Sequence, residues 1–274
     1  MMACHVGGNE WTSSPMRRVL AAGGCPLGTM VSEFATTGIA RLAAAAGAEF
    51  VLLDLEHTGY SLERMRAVVA AARASEITVL VRVPDAAYDL IARTLDLGAH
   101  GVMVPAVESA DEARLIADSA HFPPRGRRGF GLIHRSDWSS DGLPEMIRRL
   151  DADTIVLAQI ETAAGVDAVE EIAAIDGIDL LWIGHFDLTT SLGIPGEFTS
   201  PRFEAAVDRV LAAGRASGTP VGILAGTAAE AARHVARGFG AVAVGLDAWL
   251  YEDALRDGIE AVRSSMTKED AEHD

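Results

Sequence analysis

Two carboxylates, Glu161 and Asp187, each stand at the end of a short apolar run, the first from Thr154 and the second from Asp179. Both runs have the composition of parallel strands buried on both faces. Ala163 to Ile175, between them, has helical periodicity, so the segment reads as strand, helix, strand with both strands pointing the same way. Carboxylates at the same end of two such strands repel, and one tends to keep a proton unless a cation separates them. A hard divalent cation does this, and two carboxylates plus water and substrate oxygens suit Mg²⁺ or Mn²⁺. Spacing alone leaves a second reading open, in which each carboxylate caps the next helix or pairs with an arginine.

Further chemistry-bearing residues sit at comparable positions. Asp54-Leu-Glu-His57 follows an apolar run, and Arg82 closes another in Val81-Arg-Val-Pro84. A charge inside an apolar run is seldom kept without a partner. A guanidinium there either binds a carboxylate or developing oxyanion, or belongs to an internal ion pair. His57 has the type for a general base near neutral pH, and a structural role stands beside that reading. Asp54 and Asp96 are candidates to orient it. No Gly-x-Ser-x-Gly elbow is present, so the set points to proton transfer beside a metal-stabilised enolate and away from a serine triad.

The elements that must position these groups alternate along the chain. Strand-like runs are expected near Leu27–Val31, Phe50–Leu53, Val79–Val83, Gly101–Pro105, Ile155–Ile160, Leu180–Gly184, Val221–Leu224 and Ala241–Gly245, with helical patterns between them. Eight strand–helix pairs in one domain over residues 16–265 predict an α/β fold, a TIM (β/α)₈ barrel. An open doubly wound sheet is the alternative, but no glycine-rich phosphate loop follows the first strand. Residues 1–15 and 266–274 are expected to be disordered tails. The stretch from His121 to Leu150, with Arg125, Arg127 and Arg128, breaks the rhythm. It is expected to lie at the C-terminal strand ends, where barrel active sites gather.

Composition excludes several classes. The 274 residues carry 23 Lys+Arg against 39 Asp+Glu, a net charge of −16, which disfavours nucleic-acid and membrane-surface partners. No apolar run approaches the ~20 residues needed to span a bilayer, and no secretory signal is evident. Only Cys4 and Cys25 are present, which argues against a disulfide framework and fits a reducing cytoplasm.

The Asp54–His57 turn, Arg82-Val-Pro, Leu95-Asp-Leu-Gly-Ala, Val102-Met-Val-Pro105, the Phe122–Gly131 run, Gln159-Ile-Glu-Thr162 and the Ile183–Leu188 segment, in that order, resemble the HpcH/HpaI aldolase family of class II pyruvate aldolases. The resemblance spans Leu27 to about Gly258. It implies a metal-dependent barrel that cleaves a 4-hydroxy-2-oxo acid into pyruvate and an aldehyde, with Mg²⁺ or Mn²⁺, or else Co²⁺ or Zn²⁺, as the cofactor. Carbon–carbon lysis of a CoA thioester and oxaloacetate decarboxylation are the related alternatives, and a noncatalytic barrel is a third. By the same resemblance Glu161 and Asp187 match the metal ligands, and Gln159 and the backbone at Phe186 match pyruvate contacts. His57 matches the base, acting through water, and Arg82 the group that stabilises the transition state. Asp96 matches the carboxylate that raises the basicity of the histidine, and Asp54 helps hold that region. Ser136 and Trp138 match a loop lining the aldehyde approach. The family also implies a homohexamer with the last helix exchanged between subunits, and Trp249, Leu250, Tyr251, Leu255 and Ile259 offer an apolar stripe for it. The chain departs from the pattern at His185 and Phe186, where Pro followed by Ala or Asn is expected, and in a shortened loop with His134, Arg135 and Asp137. These departures bear on the aldehyde side.

Overall fold

The computed structural model describes residues 13–131 and 141–271. Eight parallel strands close into a barrel in sequence order, β1 (Leu27–Val31), β2 (Phe50–Asp54), β3 (Thr78–Arg82), β4 (Gly101–Val104), β5 (Ile155–Ile160), β6 (Leu180–Ile183), β7 (Val221–Ala225) and β8 (Ala241–Leu246). The predicted TIM barrel is the observed fold, and the open sheet is excluded because β8 pairs with β1.

Each strand is buried on both faces, and the period of two divides it. Phe50, Leu52, Leu80, Met103, Leu157 and Trp182 fill the barrel interior. Their neighbours Val51, Leu53, Val79 and Val81 face outward into the helical layer. Trp182 fits only because Gly222 lies beside it: a Cβ there would fall 2.2 Å from the indole. The same alternation continues past the packed layers. Residues 50, 52 and 54 share one side of β2, and residues 80 and 82 one side of β3, so the polar pair Asp54 and Arg82 is delivered to the C-terminal mouth in direct register.

The helices outside the barrel are α1 (Pro15–Ala21), α2 (Ile39–Ala45), α3 (Leu62–Ala72), α4 (Tyr88–Asp96), α5 (Ala110–Ala120), α6 (Leu143–Asp153), α7 (Ala163–Asp167), α8 (Val169–Ala173), α9 (His185–Ser191), α10 (Pro201–Ser217), α11 (Ala228–Arg237) and α12 (Asp247–Ala271). The single helix expected over 163–175 is two short ones hinged at Ala168. Helix α1 was not anticipated. Its Met16 is fully buried with the interior side chains, and the Met16 amide donates to Thr78 Oγ1 at 2.9 Å, so α1 plugs the N-terminal mouth. No described helix is long and apolar enough to cross a membrane.

The described ends of the 121–150 stretch, residues 121–131 and 141–150, start away from the C-terminal strand ends where the stretch is expected. The stretch follows α5, which has already carried the chain back to the N-terminal mouth. His121 lies against the Gly177 carbonyl, and Arg125 is 3.5 Å from Asp176, both in the turn that leads into β6. Burial alone would push the Asp151 carboxyl up. Hydrogen bonds from His121 and the Phe122 amide, with the charges of His121 and Arg125, outweigh that and hold it below its ordinary value. His134, Arg135, Ser136, Asp137 and Trp138 lie outside the described residues.

Candidate active site

A cleft of about 300 Å³ opens at the C-terminal mouth. Its polar side is built by β2, β3, β5 and the turn after β6. Asp54 and Arg82 meet there as a bidentate pair, Nε to Oδ1 at 2.9 Å and Nη2 to Oδ2 at 2.7 Å. Arg82 also approaches Glu56 Oε2 at 3.2 Å, and His57 Nε2 lies 3.7 Å from the same oxygen. Arg82 is thus an internal ion pair, the second of its sequence readings, and it also lines the cleft. Burial pulls the guanidinium down, but hydrogen bonding to Asp54 and the charges of Asp54, Glu56 and Glu161 hold its pKa above the ordinary value. Burial raises the Glu56 carboxyl, against the charges of Arg82 and His57.

Glu161 is 5% exposed, at the end of the inward row that runs through Leu157 and Gln159. Its Oε1 accepts from the Ala106 amide at 2.8 Å, and Gln159 Nε2 donates to its Oε2. Ala106 holds this position with φ +50°, an uncommon conformation for a side-chain-bearing residue. Burial pushes the Glu161 pKa up to about 7, against the Ala106 hydrogen bond, and the nearby charges of Asp187 and Glu56 push the same way. Asp187 stands in the first turn of α9. Gly184, just before that helix, lets the backbone approach: a Cβ there would sit 2.2 Å from Glu161 Oε2 and 2.7 Å from Gln159 Nε2.

These groups fit a divalent cation. Glu161 is buried and destabilised as an anion, the charge of the more exposed Asp187 adds to that, and Gln159 Oε1 is buried with no partner. Among the described residues no three His, Cys, Asp or Glu side chains form a ready-made cage, so water and substrate oxygens would have to complete the coordination of a hard cation.

The opposite side of the cleft is apolar. Met30, Leu224, Leu246 and Trp249 line it together with Phe186. The Phe186 ring lies 6.3 Å from Trp249 and 5.3 Å from Phe198, edge to face in both cases. His185 packs 4.3 Å from Phe186 and 5.3 Å from Phe198, and burial lowers its pKa to about 4, so the ring is a neutral member of the aromatic cluster.

The structure thus gathers Asp54, His57, Arg82, Gln159, Glu161, His185, Phe186 and Asp187 at one mouth. It does not bring Asp96 there. Asp96 ends α4 at the opposite mouth, where Oδ1 accepts from the buried Arg128 at 2.7 Å, so within one chain the ionic neighbour of His57 is Glu56. Two site residues escaped sequence reasoning. Glu56 was visible as a carboxylate inside the Asp54–His57 turn, and Trp249 was read only as part of an intersubunit stripe.

A closed parallel barrel carries its chemistry at the C-terminal mouth, and this chain collects two carboxylates, an arginine and a histidine there. Residues 30–254 match the HpcH/HpaI aldolase/citrate lyase family, and the chain belongs to it. It is 35% identical over 232 residues to a 4-hydroxy-2-oxovalerate aldolase of Novosphingobium aromaticivorans, covering 83% of this chain and 87% of that protein. It is 32% identical over 246 residues to a hydroxypyruvate/pyruvate aldolase of Cupriavidus necator, covering 89% and 90%. The crystal structure of a family member from Burkholderia cenocepacia superposes with a TM-score of 0.85 at 32% identity, over 92% of this chain and all of that one. The aldolases among these relatives are carbon–carbon lyases acting on 2-oxo acids.

Proposed function

We propose that this chain is a divalent-metal-dependent aldolase that reversibly cleaves a 4-hydroxy-2-oxo acid into pyruvate and an aldehyde. The observation that carries the reading is the Glu161–Asp187 carboxylate pair placed beside Arg82 and His57 at the C-terminal mouth. Glu161 and Asp187 would hold the cation, which when bound would supply Lewis acidity to the 2-oxo acid. Gln159 and the backbone at Phe186 orient the pyruvate moiety. His57, which is well exposed at the cleft, takes the 4-hydroxyl proton through water. The C3–C4 bond electrons then pass to the enolate of pyruvate, whose developing charge meets the Arg82 guanidinium. Asp54, almost fully buried, fixes the plane of that guanidinium through its two hydrogen bonds.

The deciding experiment follows pyruvate release by coupled lactate dehydrogenase from a panel of 4-hydroxy-2-oxo acids, with Mg²⁺ or Mn²⁺ supplied. Release from at least one member is expected. Absence of release from all of them, together with no deuterium exchange at the pyruvate methyl, overturns the reading.

Assembly forms part of the same proposal. Beyond Trp249, the exposed side chains Tyr251, Leu255, Ile259, Val262 and Met266 recur along α12 at helical spacing. A stripe of this kind fits burial against a second subunit, in a hexamer whose last helix is exchanged. Light scattering at micromolar concentration is expected to give an oligomer, and Leu255→Glu combined with Ile259→Glu should reduce its mass. A monomeric wild-type protein overturns the assembly.

A further inference from the structure

The mouth of the barrel is divided by sector. Among the described residues the charged side chains lining the cleft come from β2, β3 and the first turn of α9, with His57 from the turn after β2, and Gln159 and Glu161 adjoin them at the end of β5. The contiguous sector β7–β8–β1 gives the cleft Leu224, Leu246, Trp249 and Met30, with Ser32 as its one hydroxyl among the described residues. Asp247 belongs to this sector but is not available to a ligand. It is buried, and its carboxylate accepts from the backbone amides of Ser32, Glu33 and Phe34. Arg82, the one Lys or Arg lining the cleft among the described residues, is already engaged by Asp54 and Glu56. Phe186 extends the apolar sector across α9 and is half exposed toward solvent, edge to face with Trp249.

On the aldolase reading, the pyruvate half of the substrate occupies the polar sector, which leaves the C4 substituent over β7–β8–β1. We infer that the acceptor is an apolar aldehyde with a flat or branched hydrocarbon group, an aryl aldehyde being the best fit, and that Phe186 and Trp249 select it. A sugar-derived or carboxylated aldehyde would set its hydroxyls or its charge against leucine and aromatic surface with only Ser32, among the described residues, to pair them. A cleft of about 300 Å³ has room for pyruvate and one compact ring. In the bond-forming direction the pyruvate methyl loses a proton and its carbon attacks the aldehyde carbonyl carbon. The carbonyl π pair moves to oxygen, which takes up a proton, giving a 4-aryl-4-hydroxy-2-oxobutanoate with no other reactant required.

The test compares kcat/KM of the metal-loaded enzyme for addition of pyruvate to benzaldehyde, glyceraldehyde and succinic semialdehyde, with deuterium exchange at the pyruvate methyl measured in parallel. Benzaldehyde is expected to be preferred over both polar aldehydes by about tenfold or more. Phe186→Asn and Trp249→Gln, checked for folding by circular dichroism, should each narrow that ratio several-fold. Methyl exchange accompanied by an equal or greater rate with a polar aldehyde, or by no uptake of any aldehyde, overturns the acceptor assignment and leaves the aldolase reading standing. A benzaldehyde preference that both variants leave unchanged removes Phe186 and Trp249 as its cause and overturns the assignment too. Absence of both exchange and addition overturns the two together.

Discussion

Glu161→Gln protein is expected to fold and melt close to the parent while its affinity for Mg²⁺ or Mn²⁺ falls by more than about 100-fold. Loss of a residue that merely supports a ligand already costs about 10–100-fold in metal affinity, so removal of a charged ligand oxygen should cost more. The fold has little stake in the charge. Glu161 is a buried carboxylate whose pKa is pushed up to about 7 by desolvation, with Asp187 and Glu56 adding to the push, so its ionised form opposes folding in the absence of a cation. The sign follows from the folded value lying above the ordinary one. Its contribution to the stability of the metal-free protein is fullest below the ordinary carboxylate range and is lost as pH rises to about 7. Asp187→Asn should cost metal affinity in the same direction. Isothermal titration with each cation, alongside thermal melts with and without metal, measures both halves. Metal affinity within threefold of the parent for both variants would remove these residues as ligands.

Arg82 and His57 should separate in kinetics. Arg82→Lys keeps a positive charge opposite Asp54 and Glu56 but loses the planar fork, so the rate constant for carbon–carbon cleavage is expected to fall by about 10²-fold or more while metal still binds. Arg82→Ala is the less informative change, because it would strand Asp54, 1% exposed, without its partner at a cost of about 3–5 kcal/mol in stability. His57→Ala should slow cleavage by about 10²–10⁴-fold as the loss of a general base. It should spare oxaloacetate decarboxylation, which needs no hydroxyl proton removed, whereas Arg82→Lys should slow both reactions. His57 is exposed and its one ionic neighbour among the described residues is Glu56 at 3.7 Å, so its removal leaves the barrel intact. Equal losses in both reactions for His57→Ala would make it a positioning histidine, and the proton acceptor would then be sought at Glu56.

Much of the architecture was legible from residue order because its causes are local. Alternation of buried β-type runs with helical periodicity depends on neighbours a few residues apart, and strands β1 and β5 begin and end where the apolar runs do. Placement of Asp54, Arg82 and Gln159 at the mouth follows equally from a period of two continued beyond Leu52, Leu80 and Leu157. Glu161 and Asp187 were readable as a pair because parallel strands joined by one helix must end on the same side.

Tertiary structure decided the rest, through contacts between segments far apart in sequence. Asp96, His121 and Arg125 lie toward the N-terminal mouth because helices α4 and α5 reverse the direction of their strands; a motif names the residues without recording which mouth they reach. Trp249 faces the cleft because barrel closure sets β8 beside β1, whose loop amides bind Asp247 and fix the first turn of α12. The division of the mouth into a charged sector and an apolar one has the same origin, since closure joins the last two strands to the first. Sequence order alone determined which strands carry charge; only the closed barrel placed Leu224, Leu246, Trp249 and Met30 side by side, where a substrate meets them as one wall.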